Sequence, residues 1–95
     1  MLSATEARWA VRLTSDAMDE ELIAIVHAGA ADLATAGVIE PEEQAAAYLY
    51  DQALRMYLRG NFEPDAPEAE KCLAIYRSLK ETMKLSGTYR EADAE

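Results

Sequence analysis

The sequence predicts an all-α fold, a small bundle of about four helices with a flexible C-terminal tail. Apolar residues recur at steps of three and four along most of the chain, the spacing of one helix face. Only 3 Pro and 4 Gly interrupt the 95 residues, and β-branched residues are sparse. Alanine supplies much of the 51% hydrophobic share; it favours helix and close helix contact and adds little burial energy. A chain of this length makes one domain and buries about two-thirds of its unfolded surface, so its core is modest. The expected division is a helical domain over residues 1–86 and a flexible tail over 87–95.

The first helix opens on Ser3, Ala4, Thr5 and Glu6, the spacing of a capping box, and is expected to run to about Arg12. Trp9 and Leu13, four apart, are its large apolar residues on one face. The second helix is expected to start near Ser15 or Asp16. Asp16, Asp19, Glu20 and Glu21 crowd its first turns, where the helix dipole favours negative charge. Met18, Leu22, Ile25, Val26, Gly29 and Leu33 form its apolar stripe, with Gly29 and Ala30 open to close approach by another helix. Gly37 suits the left-handed position that closes a helix.

Pro41 reads as the first residue of the third helix, a position that needs no amide donor. Ala45, Leu49, Gln52 or Ala53, and Met56 make one stripe flanked by Tyr48 and Tyr57, and Gly60 and Asn61 are expected to end the helix. Two prolines mark residues 62–67 as a loop, with Asp65 as the expected cap of the fourth helix. That helix has the cleanest period: Ala69, Cys72, Tyr76, Leu79 and Met83, widened by Leu73. It is expected to end near Ser86 with Gly87 as its cap. On this reading Leu79→Ala costs about 2–5 kcal/mol, as for a buried large-to-small change. Residues from Thr88 onward are polar, lack an apolar pattern and are expected to be disordered, so that truncation after Ser86 would leave the fold intact.

Net charge is −9, and no basic stripe of the kind that displaces counterions from a duplex appears. Specific binding to DNA or to an anionic membrane is therefore not expected. Residues 15–37 hold five acids and no Lys or Arg, whereas residues 61–86 hold five acids and four bases. One helix is thus strongly negative and another mixed. No run approaches the roughly 20 apolar residues that span a bilayer, and no basic-then-apolar leader opens the chain.

The sequence holds no constellation for catalysis, and no cofactor or metal is expected. His27 and Cys72 are single and fall on different helices, whereas metal sites need clustered ligands. Cys72 lies within an apolar stripe and reads as a buried, inert thiol. His27 reads as a partly buried structural residue or a subunit contact. The carboxylates read first as a solvated, dipole-compensating surface and second as a negative lumen or patch. Tyr48 and Tyr50 cannot share one narrow buried stripe, so one of them faces solvent or a partner. Trp9, Tyr48, Tyr57 and Phe62 are the candidates for subunit contacts.

Three stretches together resemble the head-tail connector family of long-tailed bacteriophages. They are Asp19-Glu20-Glu21-Leu22-Ile23 leading to Ala31-Asp32-Leu33 and Ala36-Gly37-Val38; Tyr57-Leu58-Arg59-Gly60-Asn61-Phe62 with Asp65-Ala66-Pro67-Glu68-Ala69-Glu70; and Tyr76-Arg77-Ser78-Leu79-Lys80 with Leu85-Ser86-Gly87-Thr88-Tyr89-Arg90. They cover roughly residues 16–90. The resemblance implies a helical, non-enzymatic adaptor assembled in the host cytoplasm and resident at the head-tail junction of the virion. It implies a closed homo-oligomeric ring of about a dozen copies under the portal protein. Such a ring extends the channel that DNA traverses without specific binding, and it docks the next head-completion or tail protein. It also implies that the C-terminal segment reaches the portal, with Tyr89 and Arg90 as anchors, while Asp19, Glu20 and Glu21 supply an acidic face. The competing reading is a small acidic helical binding module, inhibitor or antitoxin-like, acting on a basic protein.

Overall fold

The computed structural model describes residues 1–90 of the chain. Four α-helices follow one another: α1 (Ala4–Ala10), α2 (Asp19–Thr35), α3 (Gln44–Phe62) and α4 (Ala69–Lys84), then a 3-10 turn over Gly87–Tyr89. The fold is a small all-α bundle. Its central element is α3, which packs against α2 and α4, while α1 lies across α2 and α3.

The helix ends follow local chemistry where a local partner exists. Ser3 Oγ accepts from the Glu6 amide at 3.1 Å and Glu6 Oε1 accepts from the Ser3 amide at 2.9 Å, so the expected capping box is formed. Leu2 and Ala7, flanking the box at the staple positions, are both buried. α2 closes on Gly37 at φ 87. The Gly37 amide bonds to the Ala34 carbonyl (2.9 Å) and the Val38 amide to that of Leu33 (2.8 Å), a Schellman ending with Leu33 and Val38 both buried. α1 stops earlier than expected, with the same ending built on a non-glycine residue. Arg12 stands at φ 63, the Leu13 amide bonds back to the Arg8 carbonyl at 2.8 Å, and the Arg12 amide to that of Trp9 at 3.1 Å.

Several boundaries differ from the sequence reading. α2 begins at Asp19, because Ser15 Oγ takes the Ala17 amide and the Asp16 carbonyl takes the Asp19 amide in a preceding turn. α3 begins at Gln44, leaving Pro41 outside the helix, and it continues through Gly60 to Phe62. Gly60 is not a terminator. A Cβ there would lie 2.5 Å from Leu73 Cγ and Cδ2 and 3.1 Å from the Ala69 carbonyl, so its lack of a side chain lets α4 close on α3. Gly29 plays the expected close-approach role, since a Cβ there would meet Tyr57 at 2.9 Å and Leu54 at 3.2 Å. Asp65 does not cap α4; Glu68 holds the cap position without a side-chain bond.

The core shows why α3 is central. Its buried residues fall on two stripes: Ala47, Tyr50, Leu54 and Leu58, and Ala53, Met56 and Gly60. The single stripe read from the sequence, Ala45, Leu49, Gln52 or Ala53, and Met56, holds the buried Ala53 and Met56 and the half-buried Leu49, but Ala45 and Gln52 are exposed. α2 buries Leu22, Val26, Gly29 and Leu33, and α4 buries Ala69, Cys72, Tyr76 and Met83, as their periods predicted. Leu79 is only half-buried.

The segment after α4 is a further correction. Ser86 Oγ accepts from the Thr88 amide and opens the 3-10 turn, and Gly87 is not in a left-handed conformation. Tyr89 is 7% exposed, its hydroxyl donates to the Ala46 carbonyl at 3.0 Å, and its own carbonyl accepts from the Ile39 amide at 2.7 Å. Gly87–Arg90 therefore belongs to the bundle. The expectation of a flexible tail over 91–95 lies outside the described residues.

Candidate functional site

Among the described residues no three of His, Cys, Asp and Glu lie close enough to hold a metal ion. No described helix is long and apolar enough to cross a membrane. Cys72 is buried, as its stripe predicted. His27 is exposed, against the expectation of partial burial, because it points away from the Leu22, Val26, Gly29 and Leu33 face.

The four aromatic interface candidates divide into pairs. Trp9 is 70% exposed and Tyr48 67% exposed, while Tyr50 is 2% exposed and resolves the choice between the two tyrosines. Trp9 does not share a buried face with Leu13, because α1 ends before Leu13 and turns it toward the core. Tyr57 and Phe62 are half-buried against the core. Tyr57 is engaged inside the fold: its ring meets that of Tyr76 edge-on, 5.0 Å between centroids.

Around Trp9 the structure gathers residues that the sequence holds far apart. α1, the turn after it and the C-terminal half of α3 form an open groove lined by Glu6, Trp9, Arg12, Gln52, Arg55, Met56 and Arg59, three arginines to one carboxylate. It continues past Arg12 and Arg59 to Phe62 and Cys72, where Glu63 and Glu68 join the lining. Three of the nine basic residues of a −9 chain thus meet beside its single tryptophan. Arg59 is paired with Glu68 at 2.9 Å, and Arg55 stands 3.9 Å from Glu6. Arg12 has no carboxylate partner among the described residues and is exposed. The groove was missed in the sequence because residues 9–12 and 52–59 meet only through packing. The one local hint was the helical spacing of Gln52, Arg55 and Arg59, in one row with Tyr48.

The acidic turn into α2 is anchored to α1 through Arg8, which does not line the groove. Asp19 is half-buried and accepts from Arg8 Nε at 2.8 Å, so it is structural, whereas Glu20, Glu21 and the preceding Asp16 are exposed. Asp32, farther along α2, accepts from the Tyr76 hydroxyl and from Lys80 Nζ at 3.0 Å, tying α2 to α4. Those two bonds, Tyr76 first, hold its carboxyl below the usual aspartate value. Burial and the same bond push the Tyr76 hydroxyl well above the usual tyrosine value. Elsewhere Asp51, whose Oδ1 is buried without a hydrogen bond, has the α-amino group of Met1 3.3 Å away, so its charge is compensated by proximity.

Of the two C-terminal anchor candidates, Tyr89 is a core residue and Arg90 is exposed. Arg90 Nη2 reaches the Lys84 carbonyl at 3.5 Å.

No protein family, curated protein or solved structure matches this chain.

Proposed function

We propose that the chain is a phage head-tail connector, a non-enzymatic subunit that assembles into a ring beneath the portal and extends the DNA channel. The observation that carries the reading is the contrast between a filled core and unsatisfied outer surfaces. Seven large side chains are fully buried, yet Trp9 and Tyr48 stand in solvent on α1 and α3. An arginine-rich groove between α1 and α3 and an exposed acidic segment at the start of α2 are unlike surfaces, which head-to-tail contacts in a ring require. The surplus of negative charge suits a wall past which DNA slides without being held. The resemblance over residues 16–90 supplies the place in the virion and the partners: the portal on one side and the next head-completion or tail protein on the other. Because Tyr89 packs inside the bundle, the portal contact falls to Arg90 and the residues after it. The chain carries no enzymatic role and needs no cofactor in this reading.

Light scattering on the purified protein across a concentration series tests the proposal. Masses that climb toward a ring, in solution or on addition of a portal protein, are expected. A tight dimer at every concentration, unchanged by the portal, refutes it. The exposed Asp16, Glu20 and Glu21 segment also favours the second reading, an acidic module that covers a basic protein. That reading requires a one-to-one complex with one basic partner and no self-assembly.

A further inference from the structure

We infer that the α1–α3 groove is the seat for the acidic segment around Asp16, Glu20 and Glu21 of a second copy of this chain. The inference rests on the ring reading and gives it a contact. Three features of the groove lead to it. First, three arginines to one carboxylate line it on a chain of −9; Arg59 is held by Glu68 and Arg55 stands near Glu6, which leaves Arg12 as the cation without a carboxylate partner among the described residues. Second, it combines the cations with apolar area, Trp9 at 70% exposure and Met56 in the wall. Tryptophan and arginine are the residues that anchor interfaces. Third, Arg12 holds a left-handed backbone conformation where glycine would be unstrained. Strain retained at a residue whose side chain lines a groove points to a use for that side chain.

The matching surface is the turn into α2. Asp16, Glu20 and Glu21 are exposed and take part in no ion pair among the described residues, and Met18, half-buried among them, offers an apolar contact. Within one copy this segment is anchored to α1 by the Arg8–Asp19 pair, and neither of those residues lines the groove. The contact proposed is therefore between copies. Each subunit carries the groove and its occupant as separate surfaces, so every copy has two neighbours.

The test uses the full chain and two charge-reversed variants, Arg12→Glu with Arg55→Glu in the groove and Glu20→Arg with Glu21→Arg in the segment. Arg12, Glu20 and Glu21 are exposed and Arg55 half-buried, and helix content by circular dichroism checks that both variants fold. The wild type is expected to self-associate with a blue shift of its single tryptophan. Each variant alone is expected to stay monomeric, with Trp9 emission unshifted. Mixing the two in equal amounts is expected to restore association, since the intact groove of one meets the intact segment of the other. Arg12→Gly supplies an independent readout: a raised melting temperature together with self-association weakened several-fold. A mixture that stays monomeric, or a wild type that is monomeric throughout, overturns the inference. Variants that assemble as the wild type does overturn the groove and leave the ring standing. A wild type that stops at dimers while the mixed variants still pair keeps the groove contact and removes the ring.

Discussion

At the scale of single residues, two positions show how backbone and side chain trade against one another. Gly60 lies in the last turn of α3, and alanine is ordinarily the better helix former by about 1 kcal/mol. Here the added Cβ would fall 2.5 Å from Leu73 Cγ and 3.1 Å from the Ala69 carbonyl, a backbone atom. The Leu73 side chain and the α4 backbone must both give way, so the overpacking cost falls in the usual range of about 1–3 kcal/mol. Gly60→Ala is expected to lower the unfolding midpoint in urea, and an unchanged or raised midpoint would show that α4 shifts freely over α3. Arg12 is the converse case, a residue kept in a left-handed turn where glycine would be cheaper.

Among the elements, burial ranks the positions of α4 in an order the period alone does not show. Met83 is fully buried and Leu79 half-buried, though both lie on the stripe. Met83→Ala is expected to cost about 2–5 kcal/mol and Leu79→Ala less, since a partly exposed side chain loses less on truncation. Equal costs in chemical denaturation would mean that Leu79 is covered in solution. The terminal 3-10 turn behaves as a fifth element. Removing everything after Ser86 deletes the Tyr89 ring, its bond to Ala46 and the bridge to Ile39. The loss is expected to be on the order of 3 kcal/mol, the scale of deleting a buried aromatic. If the truncated protein melts like the full chain, the turn is not docked.

For the whole molecule, the tyrosines set a pH limit. Burial pushes the Tyr50 hydroxyl up to about 12, with the charges of Glu40 and Asp51 adding to it, and raises Tyr76 and Tyr89 as well. A hydroxyl whose folded pKa exceeds the ordinary value near 10 binds its proton more tightly in the fold. The resulting stability is full below pH about 10 and is lost as pH rises through the folded values. Asp32 acts at the other end: its lowered carboxyl contributes above the ordinary aspartate value and that contribution fades as pH falls through the folded one. The Asp32 side chain is 41% exposed, so solvent screening keeps its share small. Melting temperature is therefore expected to fall steeply between pH 10 and 12 and only gently on mild acidification, and a flat alkaline limb would contradict the buried tyrosines.

The features legible from sequence are those decided within about one helical turn. The Ser3–Glu6 capping box, the Gly37 ending and the stripes of α2 and α4 each depend on neighbours three to five residues away, and each appears in the fold as predicted. So does the exposure of one tyrosine of the Tyr48 and Tyr50 pair. Only the tertiary structure decided that α3 lies between two partners and so needs two apolar faces, which turns Tyr50 and Leu54 inward and makes Gly60 a contact instead of a stop. Only packing brought Arg12, Arg55 and Arg59 to Trp9, and only packing drew Tyr89 onto Ala46. The physical reason is common to all three cases: hydrogen-bond spacing along a helix is a local property of the chain, whereas which faces meet depends on distant segments coming together.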